Sequence, residues 1–76
     1  MLLPALLLFP LISSFTVTIP PSNVGDLYSI AASAGGDVDV SGGKYTITIP
    51  SLSAEDFVNG LTSRTAGAAS VVQNNP

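Results

Sequence analysis

Histidine, cysteine and tryptophan are all absent from this 76-residue chain. Without cysteine, no disulfide and no thiolate metal site can brace the fold. A domain this small buries only about 60% of its unfolded surface, so its stability rests on tight packing, self-association or a partner. Without histidine or cysteine there is no Ser-His or Cys-His nucleophile pair, and the commonest acid–base group near neutral pH is missing. Positive charge is scarce as well. Lys44 and Arg64 are the only cations, against Asp26, Asp37, Asp39, Glu55 and Asp56, giving a net charge of −3. Nucleic-acid binding depends on clustered Lys and Arg neutralising phosphates, and two scattered cations exclude that class of partner. Disorder is excluded by an apolar content of 46% with so little net charge.

What is present begins with an uncharged stretch, residues 1–14, rich in leucine. Three roles fit it: a secretory signal cut after Ser14, a membrane arm, or an arm packed on a neighbouring subunit. Pro4 and Pro10 interrupt any helix there, and no Lys or Arg precedes the apolar run, which departs from an ordinary signal. Membrane contact is therefore expected, if anywhere, through residues 1–14.

The most informative feature is a repeat. Phe15-Thr16-Val17-Thr18-Ile19-Pro20 returns as Tyr45-Thr46-Ile47-Thr48-Ile49-Pro50, and Asp26-Leu27 returns as Asp56-Phe57. Both β-branched segments alternate with period two, which predicts half-buried strands, each ended by a proline. Helix starts follow. Ser22 or Asn23 suits the first cap and Ser53 the second, with Asp56 three residues on and Asp26, Glu55 and Asp56 in first turns. Val24, Leu27, Tyr28 and Ala31 share one helical face, and Ala54, Phe57, Val58 and Leu61 the other. Gly35-Gly36 stops the first helix. Gly60 weakens the second, which ends at Gly67. Asp37-Val38-Asp39-Val40 predicts the second strand, Ser41-Gly42-Gly43-Lys44 a hairpin, and Ala69–Gln73 a weaker fourth strand.

The resulting order is strand, helix, strand, strand, helix, strand. It predicts an α+β domain over residues 15–73 in two copies, 15–41 and 45–73, with residues 74–76 as a tail. Two βαβ halves joined by a hairpin form a ferredoxin-like βαββαβ sandwich whose internal pseudo-twofold accounts for the repeat. Loss of the weak last strand would leave βαββα.

Few motifs carry chemistry. No serine sits in a nucleophile elbow, and no spaced glycine pattern cradles phosphate, so neither enzyme nor cofactor is expected. Asp37, Asp39 and Ser41 precede Gly42 at the spacing of a calcium loop, but its twelfth position is Thr48, not an acid. An edge strand whose carboxylates deter strand addition is the simpler account of these residues. Phe15 and Tyr45 stand where some RNA readers stack bases, yet they share the face of Val17, Ile19, Ile47 and Ile49 and read as core. The opposite sheet face should show Thr16, Thr18, Thr46 and Thr48. Val71, Val72 and Gln73 would form an edge without charge, open to another chain. The expected role is a non-enzymatic structural or assembly protein, such as a minor component of a virion or other large particle, acting through self-association or other protein subunits. The alternatives are a small exported or membrane-anchored envelope protein and a small inhibitor or adaptor.

Overall fold

The alternating segments pair as their side-chain pattern demands. A computed structural model describes residues 11–74; the leader readings for residues 1–10, and the last two tail residues, lie outside that range. The chain forms β1 (Ile12–Thr18), a 3₁₀ turn (Pro21–Asn23), α1 (Val24–Ser33), β2 (Asp37–Ser41), β3 (Lys44–Pro50), α2 (Ser51–Arg64) and β4 (Ser70–Gln73). The four strands make one antiparallel sheet in the order β2-β3-β1-β4. The protein is thus α+β, and the arrangement lacking a last strand does not hold.

The register shows how the repeat meets itself. Phe15 lies opposite Ile47 and Val17 opposite Tyr45, so Thr16 lies opposite Thr46, its own counterpart in the second copy. Outward from that pair, Val17 adjoins Val71 on β4 and its counterpart Ile47 adjoins Val38 on β2. Val71 and Val38 are therefore equivalent, three residues beyond the spacing of the strands. Counted from Pro20 and Pro50, α1 ends 13 residues on and α2 14, so one surplus residue lies in the second helix and two in its connection to β4.

The core forms where the odd-numbered residues of β1 and β3 meet the helices. Phe15, Val17, Ile47 and Ile49 pack with Leu27 and Ala31 of α1 and with Phe57 and Leu61 of α2, and all eight are buried. Each large aliphatic or aromatic side chain removed from water in this way contributes about 1.5–3 kcal/mol. Phe15 and Phe57 meet with ring centroids 5.9 Å apart, and Tyr28 packs edge-on against Tyr45 at 6.4 Å. Both aromatics at the strand starts therefore belong to the helix-side face and are not offered to a ligand.

Four local features differ from the sequence expectation. First, β1 starts at Ile12, not Phe15, and takes in three residues assigned to the leader. Ser13 falls on the core-side face, where a hydroxyl is tolerated because it pairs with Ser51 Oγ at 2.7 Å. The Ser51 N–H also donates to the Leu11 carbonyl at 2.8 Å. Second, α2 starts at Ser51, directly after Pro50, and no side chain caps it. Pro50, at φ −58° and ψ 134°, ends the strand and turns the chain into the helix unaided. Ser53 is thus inside the helix, and no acid lies in its first turn. Third, α2 runs through Gly60 but ends at Arg64, short of the expected stop at Gly67. Fourth, Asn74 is no free tail, since its N–H donates to the Ser14 carbonyl at 2.8 Å.

Both helices end in the same motif. After α1, the Gly35 N–H donates to the Ala32 carbonyl at 3.1 Å and the Gly36 N–H to the Ala31 carbonyl at 2.8 Å. After α2, the Ala66 N–H donates to the Ser63 carbonyl at 3.3 Å and the Gly67 N–H to the Thr62 carbonyl at 3.0 Å. This is a Schellman termination, in which the first residue past the cap adopts a left-handed conformation. Gly35 does so at φ +78°; in the second copy the position is held by Ala66, at φ +53°. Thr65 braces this exit: it is buried, its Oγ1 donates to the Leu61 carbonyl at 2.8 Å, and it accepts from the Ala69 N–H at 3.4 Å.

Candidate functional site

With both helices packed on one side of the sheet, the even-numbered residues of β1 and β3 face away from them. Cross-strand pairing sets one row over this open face, Asp39–Thr46–Thr16–Val72, and another beside it, Asp37–Thr48–Ser14. Thr18 stands beside Ser70, and Ser41 beside Lys44. All four threonines predicted for this face are brought together on it. Thr18 and Thr48 are exposed, and Thr16 and Thr46 half-buried between their neighbours.

Asn74 completes one side of this surface. Thr16 Oγ1 donates to Asn74 Oδ1 at 2.8 Å, and Asn74 Nδ2 donates to Ser14 Oγ at 3.1 Å. An amide side chain both donates and accepts, so one residue ties two hydroxyls of β1. The sequence held no signal for this, because a polar residue near a chain end reads as solvated.

The two edges carry different side chains at equivalent places. Thr46 adjoins Asp39 on β2, and its counterpart Thr16 adjoins Val72 on β4. Position for position, β2 presents a carboxylate where β4 presents a valine that is 59% exposed. A charge on an edge strand discourages another strand from pairing; β2 has that guard and β4 does not. The three β4 candidates divide. Val71 packs against the core and is no surface contact, Val72 lies on the open face, and Gln73 is exposed on the helix side. Gln73 there lines an open groove of about 440 Å³ with Glu55, Asn59 and Ser51.

Asp37, Asp39 and Ser41 lie along β2, pointing one way down a straight edge. They do not curl round a common centre, and Thr48, the twelfth position of the imagined loop, is the cross-strand neighbour of Asp37. Among the described residues no three acidic groups gather at ligand distance. The two cations are apart. Lys44 follows the hairpin glycines Gly42 and Gly43, at φ +58° and +80°. Arg64 reaches Asp26 at 3.4 Å, joining the end of α2 to the start of α1, where Asn23 Nδ2 also donates to Asp26 at 3.1 Å. Between the helices runs a second open groove of about 420 Å³ lined by Ser29, Ser33, Gly60 and Ser63. Among the described residues no helix is long and apolar enough to cross a membrane. Comparison with protein-family models finds no match for this chain, and comparison with curated proteins finds none either.

Proposed function

We propose that this protein is a non-catalytic assembly subunit that associates through the β4 edge, as a minor component of a virion or another large particle. The scaffold is a ferredoxin-like βαββαβ sandwich with an internal pseudo-twofold passing between Thr16 and Thr46; the strand order and the register of that pair support this. The observation that carries the functional reading is the contrast at equivalent edge positions, Asp39 on β2 and Val72 on β4. An unguarded edge beside a face of neutral hydroxyls accepts another strand at low desolvation cost. Two copies meeting β4 to β4 around a twofold would bring Val72 near its own image and join two open faces into one, an isologous contact. A four-residue strand gives a small contact, of the weak class below about 1,000 Å², so the isolated protein should dimerise only at high concentration.

Sedimentation equilibrium tests this. The chain should show concentration-dependent association, and Val72→Lys should abolish it without lowering the melting temperature. A folded monomer at all concentrations up to the solubility limit would remove the reading. The exported alternative fares worse, because a cut after Ser14 would strip Ile12, Ser13 and Ser14 from β1 and orphan the Ser51 hydroxyl.

A further inference from the structure

The end of the molecule where β1 begins holds the two most exposed aliphatic side chains among the described residues, with a third close by. Leu52 is 99% exposed, Leu11 75% and Ile12 48%. Backbone contacts bring Leu11 and Leu52 together on the helix side, while Ile12 sits at the same end on the open side of the sheet. The Ser51 N–H donates to the Leu11 carbonyl, and the Ser13 and Ser51 hydroxyls pair at 2.7 Å. Ile12 lies opposite Pro50. The root of the leader is thereby pinned to the first turn of α2.

We propose that this tip is a lipid-contacting surface that dips into the interface of a zwitterionic bilayer. Three facts select that occupant. The first is that residues 1–10, which lead into Leu11, hold five leucines and no charge, so the tip continues in sequence into an apolar stretch. The second is area: three side chains fall far short of the roughly 800 Å² per partner of a stable protein interface, yet they add to an apolar segment entering lipid. The third is charge. Lys44 opens β3 and Arg64 closes α2, so both cations lie at the far end of elements whose near ends, Pro50 and Ser51, form the tip. Glu55 and Asp56 stand about one turn along α2 from Leu52. Anionic headgroups are therefore repelled, and the binding is apolar in origin. This surface is distinct from the β4 edge and does not depend on it.

The test is partition of the full-length chain into phosphatidylcholine vesicles, measured by flotation, for the unaltered protein, Leu52→Glu and Val72→Lys. Because Leu52 touches nothing that its loss would unpack, Leu52→Glu should melt like the parent. Its partition coefficient should fall about ten-fold, the loss expected when one leucine no longer leaves water, and adding phosphatidylserine should weaken binding by the parent. Val72→Lys should partition normally while failing to self-associate, which separates this surface from the assembly edge. Equal partition of Leu52→Glu and the parent would overturn the proposal, since the leader alone would then suffice. Absence of vesicle binding would overturn it too, as would dimers that Leu52→Glu dissolves, because a second copy would then cover the tip.

Discussion

Ala66 occupies a conformation that its mirror position gives to glycine, and replacing it should stabilise the protein. At φ +53° its Cβ crowds the backbone, which costs an L-residue about 1–2 kcal/mol. Glycine removes that cost but adds unfolded-state freedom, an opposing term of about 0.4–1 kcal/mol. Ala66 is exposed, so no packing is lost, and the Schellman hydrogen bonds from the Ala66 and Gly67 N–H groups are kept. Ala66→Gly should therefore gain about 0.5–1 kcal/mol, a rise in Tm of about 4 °C for a domain this size. The reciprocal substitution, Gly35→Ala, should lose about as much. The Cβ it adds would meet only Pro50 Cγ, at 4.0 Å, so the cost there is conformational and not steric. Urea unfolding followed by far-ultraviolet circular dichroism measures both, and an unchanged m-value confirms that the folded and unfolded states are the same in kind. If Ala66→Gly lowers the midpoint, or Gly35→Ala leaves it in place, the equivalence of the two helix ends is wrong.

Other substitutions probe the packing and the junctions. Gly60→Ala should stabilise α2 by about 0.5–1 kcal/mol through helix propensity, since its Cβ makes an ordinary contact with Ile30 at 3.6 Å; a lower urea midpoint would show that the helices sit closer than that. Gly36→Ala should cost about 1–3 kcal/mol, because its Cβ would stand 3.0 Å from the Thr48 carbonyl oxygen and 3.2 Å from Ile49; a neutral result in the same assay would contradict this close passage over β3. Ser13→Ala should cost about 1 kcal/mol by stranding the Ser51 hydroxyl, and a double-mutant cycle with Ser51→Ala should return part of that loss; purely additive losses would mean the two hydroxyls are not coupled. Val72→Lys should remove self-association at unchanged Tm in sedimentation equilibrium, whereas Val71→Lys, at the core-facing neighbour, should unfold the domain.

Much of the fold was legible because its signals were local and doubled. Phe15–Ile19 and Tyr45–Ile49 alternate cleanly, and the proline after each removes the donor that further pairing needs. Two copies of one pattern then predict two strands that share a core. The misjudged positions were those where a distant partner decides the matter. Ser13 looked like leader because a serine beside leucines carries no strand signal, and only the Ser51 hydroxyl across the sheet makes its burial tolerable. Asn74 looked like tail because nothing in sequence joins it to Ser14 and Thr16, some 60 residues earlier. At the candidate surface, alternation assigned Thr16, Thr18, Thr46 and Thr48 to one face. It took the register to show that Val72 is the counterpart of Asp39 and that Val71 turns inward.

Departures from the repeat bear on the proposed assembly edge. Folding asks the same of both halves, and where the demand is strict the two agree: Val17 and Ile47 in the core, Val38 and Val71 against it. At the helix exit and on the open face of the edge strand the second copy takes the less protective residue, although on the helix side Gln73 stands where β2 has the exposed Val40. Gly35 becomes the strained Ala66, and the edge carboxylates Asp37 and Asp39 become Ser70 and Val72. These changes fall on one stretch, from the exit of α2 through β4. A glycine at a helix end and a carboxylate on an edge strand both protect an isolated domain. Their joint absence from a single edge fits a strand whose neighbour comes from another molecule.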